Sequence, residues 1–176
     1  MKVRSMSKVS MFLVLFFIFS NIIPPINIVG VPITLQICLV MMLPFFLDIK
    51  EIGIWFLTLC MATIAGIPMM SGFSSGISVF VGPTSGYIYG WLLMMYFIKI
   101  FANSHSVLNI TTVLIIAILI DYVCGAAFYT LNVSGNFLDN LIMLSSTFIL
   151  FDFIKAFIVV YVVKKVPKEI LAHNNK

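Results

Sequence analysis

Apolar runs follow one another along this 176-residue chain, separated by short polar stretches or stretches bearing glycine and proline. A helix needs roughly 20 mainly apolar residues to cross the hydrocarbon core of a bilayer. Runs near that length fall at about 7–23, 33–47, 52–70, 86–101, 110–130 and 140–163, the second of them short and carrying Pro44 near its end. With 62% hydrophobic and 9% charged residues, the chain lies far from the soluble balance of about 25% charged. The expected fold is all-α: one integral membrane domain over residues 1–176, a bundle of six transmembrane helices.

The basic residues test that count independently, because short cytoplasmic loops collect Lys and Arg. Lys2, Arg4 and Lys8 precede the first run, and Lys164, Lys165, Lys168 and Lys176 follow the last. Lys50 falls between the second and third runs and Lys99 at the end of the fourth, while the three loops on the other side carry no Lys or Arg. Six spans with both termini cytoplasmic therefore put every basic residue except Lys155 inside. The net charge of +4 is accounted for by orientation and by contact with anionic head groups of the lipid bilayer, and no nucleic acid partner is needed. The basic N-terminus ahead of Met11 to Phe19 is similar to the start of a secretory signal, yet no small-x-small cleavage site follows it. The first run is expected to be retained.

Asp152 and Lys155 stand three residues apart inside the sixth run. Positions i and i+3 share a helix face. An ionised side chain at mid-bilayer costs roughly 2.5 to 3.5 kcal/mol even on lenient insertion scales, so it faces the bundle interior, has a partner, and marks binding or transport. The pair reads as the floor of a site for a small, polar, charged molecule. The plainer reading is an ion pair that only neutralises itself. Asp121, midway along the fifth run, is either a third member of that site or a balance for Lys155, and balance is the preferred reading.

The outer loops concentrate the remaining local chemistry. Residues 24–36 are uncharged and contain Pro24, Pro25 and Pro32, which suits a shaped lid better than a floppy linker. Residues 66–76 and 81–87 hold glycines that let backbone approach a ligand, with Gly82-Pro83 marking a tight turn into the next helix. Thr34, Gln36, Ser71, Thr84 and Tyr87 gather at that mouth, each open to a capping or packing role as well as to ligand contact.

Cys38, Cys60 and Cys124 lie in three different runs with no C-x-x-C spacing, and His105 and His173 lie in cytoplasmic segments. No metal site and no cofactor are implied. The 11 methionines are scattered through the runs as packing filler. No H-E-x-x-H or Walker A pattern occurs, so an enzyme is not expected and ATP is not hydrolysed by that route.

Val31-Pro32-Ile33-Thr34-Leu35-Gln36, Gly66-Ile67-Pro68, Gly82-Pro83-Thr84-Ser85-Gly86-Tyr87 and Phe151-Asp152-Phe153-Ile154-Lys155-Ala156 occur in the order seen in the BioY family, which the chain resembles over roughly residues 31–163. That family is the biotin-specific substrate-binding component of energy-coupling factor transporters. The resemblance implies a multi-pass protein of the bacterial plasma membrane that captures biotin from outside. It also implies partners: a transmembrane coupling protein and two ATPase subunits. By position, Asp152 and Lys155 carry over as substrate-binding residues, with Thr34, Gln36, Thr84 and Tyr87 as parts of the lid and pocket mouth. The chain departs from the family pattern at Ser74-Ser75-Gly76 and Ser85, where glycines are usual. It departs again on the first helix, where Val14 follows Ser10 at a spacing that usually carries two small residues. The alternatives are a component for another vitamin and a small secondary transporter.

Overall fold

The computed structural model describes residues 3–21, 26–28, 31–102, 106–167 and 169–172. Lys2, Lys168, Lys176, His105, His173 and the parts of the first outer loop at 22–25 and 29–30 lie outside the described residues. The described chain is helical apart from one small hairpin. In order it runs α1 (Val3–Asn21), β1 (Ile26–Ile28), β2 (Val31–Ile33), α2 (Gln36–Met42), α3 (Ile49–Ile64), α4 (Ser78–Val81), α5 (Ser85–Phe101), α6 (Val107–Val133) and α7 (Phe137–Lys165). The strands are antiparallel, with Ile26 opposite Ile33 and Ile28 opposite Val31. Among the described residues, α1, α6 and α7 are long and apolar enough to cross a membrane.

The second apolar run differs from its expected 33–47 extent. It is helical only from Gln36 to Phe45, the last turn, Leu43–Phe45, being a tighter 3-10 helix around Pro44. Proline cannot donate the backbone hydrogen bond that would continue an α-helix. Ten residues rise about 15 Å, half the hydrocarbon thickness. The segment is instead a buried plug, with Leu39, Val40, Met41 and Leu43 wholly inaccessible and α1, α5 and α7 packed around it. A helix that is apolar all round belongs in an interior.

The two ends of the bundle are tied differently. At one end Lys8 lies 3.7 Å from Glu51, and the Glu51 carboxylate accepts from the Asp48 backbone N–H at 3.0 Å, which closes the start of α3 as a capping box. Lys99 of α5 donates to the Ala172 carbonyl at 3.1 Å, and the Ala172 N–H donates to the Phe45 carbonyl at 2.8 Å. At the other end Asn21 closes α1 onto the loop before α4: its amide donates to the Pro68 carbonyl at 3.3 Å and its oxygen accepts from the Phe73 N–H at 2.8 Å.

α5, α6 and α7 are antiparallel neighbours in chain order. Ser134 and Gly135 make the short turn between α6 and α7 with φ of 70° and 108°. Asn136 then accepts from the Leu138 N–H at 3.1 Å. Between α5 and α6 the backbones approach so closely that no side chain fits at three points. A β-carbon at Gly86 would collide with the Cys124 carbonyl, one at Gly90 with Asp121 Oδ1, and one at Gly125 with the Tyr87 ring.

These contacts set a test of the helix pairing. Gly86→Val is expected to cost about 1 to 3 kcal/mol, because the added group meets fixed backbone rather than a movable side chain. Gly53→Ala, whose methyl would meet only the Tyr96 hydroxyl at 2.9 Å, should cost less. Thermal unfolding of both variants in detergent ranks them, and equal midpoints would refute the close α5–α6 contact.

Candidate functional site

Five parts of the chain converge on one cavity of about 160 Å³. The β2–α2 junction supplies Thr34, Gln36 and Ile37. The loop after α3 supplies Met70, Ser71 and Ser74. Val79 of α4, Thr84 and the start of α5 (Tyr87, Ile88, Trp91) form another wall. α6 contributes Asp121 and Tyr122, and α7 contributes Phe148, Asp152 and Lys155. All six residues singled out from sequence as substrate-binding (Thr34, Gln36, Thr84, Tyr87, Asp152 and Lys155) line this one space.

Phe148, Asp152 and Lys155 recur at intervals of four and three, so one face of α7 carries an aromatic ring, a carboxylate and an ammonium together. Lys155 Nζ donates to Asp152 Oδ1 at 2.9 Å, both side chains being almost wholly buried. The Tyr122 hydroxyl donates to the other oxygen, Oδ2, at 2.7 Å. Each Asp152 oxygen thus already accepts one hydrogen bond from the protein. An ammonium has three donors, and one of them is accounted for by Asp152.

The mouth residues divide by what they bind. Gln36 is 4% exposed, and its amide is committed: the nitrogen donates to Ser20 Oγ at 3.0 Å and the oxygen accepts from Thr34 Oγ1 at 3.1 Å. That chain fastens the β2–α2 junction to the end of α1. Thr84 stands at the N-cap position of α5 but makes no side-chain capping bond. The neighbouring Ser85 hydroxyl donates to the Gly82 carbonyl at 2.7 Å. Tyr87 packs edge-on against Phe148 with ring centroids 6.2 Å apart, and its hydroxyl, like the Ser71 hydroxyl, is buried with no partner among the described residues.

Asp121 does not balance Lys155 by contact. The ammonium sits on Asp152, and among the described residues neither Asp121 oxygen has a hydrogen-bond partner. Tyr122, Trp91 and Phe148 were missed by sequence reasoning. Spacing held a signal for two of them, since Trp91 follows Tyr87 by four residues and Phe148 precedes Asp152 by four. Tyr122 carried no such mark beyond standing next to Asp121.

The family model described as the BioY family matches residues 1–172. The chain belongs to the BioY family. Among curated relatives, it is 29% identical over 170 residues to the biotin transporter BioY of Lactococcus lactis subsp. cremoris, covering 91% of this chain and 89% of that protein. It is 34% identical over 74 residues to the biotin transporter BioY of Rhizobium etli, a match spanning 41% of this chain and 40% of that protein. A probable biotin transporter BioY of Rickettsia prowazekii is 30% identical over 120 residues, 67% of this chain and 61% of that one. Among solved structures, the fold is similar to the crystal structure of the S-component for biotin from an ECF-type ABC transporter, with a TM-score of 0.83 and 25% identity over 93% of this chain and 90% of that one. BioY membership covers all the cavity's walls, since every lining residue lies within the matched span.

The buried pair sets a stability test within the site. Lys155→Ala leaves the Asp152 charge without its cation and should destabilise by about 3 to 5 kcal/mol. Adding Asp152→Asn removes the stranded charge, so the double variant should recover most of that loss. A double variant no more stable than Lys155→Ala, measured by thermal unfolding in detergent, would show that the two side chains are not coupled.

Proposed function

We propose that this chain is the biotin-capturing component of an energy-coupling factor transporter: a transport protein, not an enzyme, embedded in a bacterial plasma membrane. The observation that carries the reading is the Asp152–Lys155–Tyr122 cluster on the wall of an otherwise largely apolar and aromatic cavity. Biotin is an anion with an apolar chain, a thioether ring and a flat ureido group that both donates and accepts hydrogen bonds. The apolar and aromatic walls suit the chain and ring. The remaining Lys155 protons suit a ureido oxygen or a carboxylate, and a carboxylate of the lining suits a ureido N–H. Family membership and the likeness to a biotin S-component support the same substrate.

In this reading the chain crosses the bilayer six times with both termini inside, the plug α2 standing for the second span. The end that carries Lys8, Lys99, Lys164 and Lys165 is cytoplasmic, and the end formed by Thr34, residues 68–74 and Thr84 is the outer mouth. Outward-facing Leu57, Leu119, Leu150 and Phe157, each more than half exposed, meet lipid. Biotin enters beneath a lid whose hinge is the Thr34–Gln36–Ser20 chain.

Energy comes from partners, a transmembrane coupling protein and two ATPase subunits. The exposed stripe Val3, Ser7, Ser10 and Val14 on α1 is the docking surface. A ligand shifts a conformational equilibrium only by its differential affinity for the two states. Binding biotin therefore cannot by itself drive accumulation.

Three measurements check this. Mass spectrometry of small molecules released from gently purified, unfolded protein should find biotin; thiamine or riboflavin in its place would move the chain to another vitamin. Lys155→Ala should lower biotin affinity at least about tenfold, in line with a charge-assisted hydrogen bond, while the protein still inserts. Vesicles containing the chain alone should bind biotin without concentrating it, and added coupling protein and ATPases should make accumulation ATP-dependent. Accumulation by the chain alone on a proton or sodium gradient would favour a secondary transporter.

A further inference from the structure

The cavity holds two acids and one base, and the protein uses only one of the acids. Asp152 accepts a hydrogen bond from Lys155 on one oxygen and from Tyr122 on the other. Asp121 is 1% exposed on the same cavity's lining, yet among the described residues no donor reaches either of its oxygens. The groups within electrostatic range are Asp152 and Lys155 on α7, Tyr87 on α5, and Tyr122 and Cys124 on its own helix. The Tyr87 hydroxyl is likewise buried and unpartnered.

A buried carboxyl without a hydrogen bond is costly, and among the described residues no donor recovers that cost. Gly90 makes room for that carboxylate, since any side chain there would run into Asp121 Oδ1. What can reach Asp121 is what fills the cavity. A carboxyl group repels another carboxylate, so the part of an anionic ligand that meets it is a hydrogen-bond donor. Biotin carries such donors only on its ureido nitrogens.

We infer that Asp121 is the discriminating acid of the cavity, taking the ligand's ureido N–H, and that Asp152 is a positioning residue that holds Lys155 in place. The inference rests on the biotin reading above and assigns the roles of its two carboxylates.

The test compares biotin with an isosteric carbamate analogue in which a ring oxygen replaces one ureido N–H. Affinities for both are measured by calorimetry on detergent-purified wild type, Asp121→Asn, Asp121→Ala and Asp152→Asn. Wild type should prefer biotin over the carbamate. Asp121→Ala should bind biotin about 10- to 100-fold more weakly and lose that preference, with Asp121→Asn, which keeps one acceptor, in between. The ligand-free unfolding midpoint of Asp121→Ala should not fall, because the substitution breaks no bond within the protein. Asp152→Asn should weaken both ligands while keeping the preference for biotin. Wild type that binds biotin, together with an Asp121→Ala variant that still discriminates or that loses binding only because it unfolds, would overturn this inference and leave the biotin reading standing. Wild type that binds no biotin would overturn both.

Discussion

Lys155 is held inside an apolar bundle by Asp152, Asp152 is steadied by Tyr122, and that chain of two hydrogen bonds ties α7 to α6 at the cavity. Removing an ion from water costs several kcal/mol, and the return is large only where geometry is good and the remaining protons and lone pairs are used. α7 brings the pair together through i, i+3 spacing, but it cannot supply the second donor to the carboxylate. α6 supplies it, and α6 is held in place by α5, where Gly86, Gly90 and Gly125 allow backbone to meet backbone or ring. The glycines and the charges therefore form one design: close helix packing brings the phenol of Tyr122 to the acid.

The buried plug α2 solves a different problem. A full-length span through the middle of the bundle would fill the space that the cavity occupies. Ending the α-helix near Pro44 and starting it at Gln36 leaves the volume above α2 to the β2–α2 junction and the loop after α3. Every residue of α2 from Gln36 to Met41 is buried, so its single polar side chain has to find partners, and it does so in Ser20 and Thr34. The same amide that satisfies a buried glutamine also anchors the cavity's mouth.

How much of this was readable follows from the solvent the chain is built for. In water, an amphipathic pattern tells inside from outside. In lipid both faces of a helix are apolar, and Leu39 at 0% exposure and Leu131 at 80% are indistinguishable by type. Polar and conformationally special residues remained informative: Asp152 and Lys155, the Gly82-Pro83 turn and the basic residues pointed to the cavity and to the two ends of the bundle. The length of α2 is not legible because apolar composition runs on to Leu47 while the regular helix gives way to a 3-10 turn around Pro44. Tyr122 was missed because a phenol inside an apolar run reads as packing until a carboxylate is found opposite it. Asp121 was read as the balance for Lys155, since sequence cannot say which of two acids on two helices reaches one ammonium.

The first helix links the two ends of the molecule. Its outward stripe of Val3, Ser7, Ser10 and Val14 is exposed, whereas its last turn is bonded to both edges of the cavity mouth, through Ser20 to Gln36 and through Asn21 to Pro68 and Phe73. Between those regions Phe16 is wholly buried and packs edge-on against Trp55 and Trp91, at centroid distances of 5.3 and 5.7 Å, and Trp91 itself lines the cavity. α1 is therefore in contact with the β2–α2 junction, with the loop after α3 and, through Phe16 on Trp91, with an aromatic wall of the cavity. The same nineteen-residue helix thus carries an exposed face at one end and braces the surroundings of the cavity at the other, without lining the cavity itself.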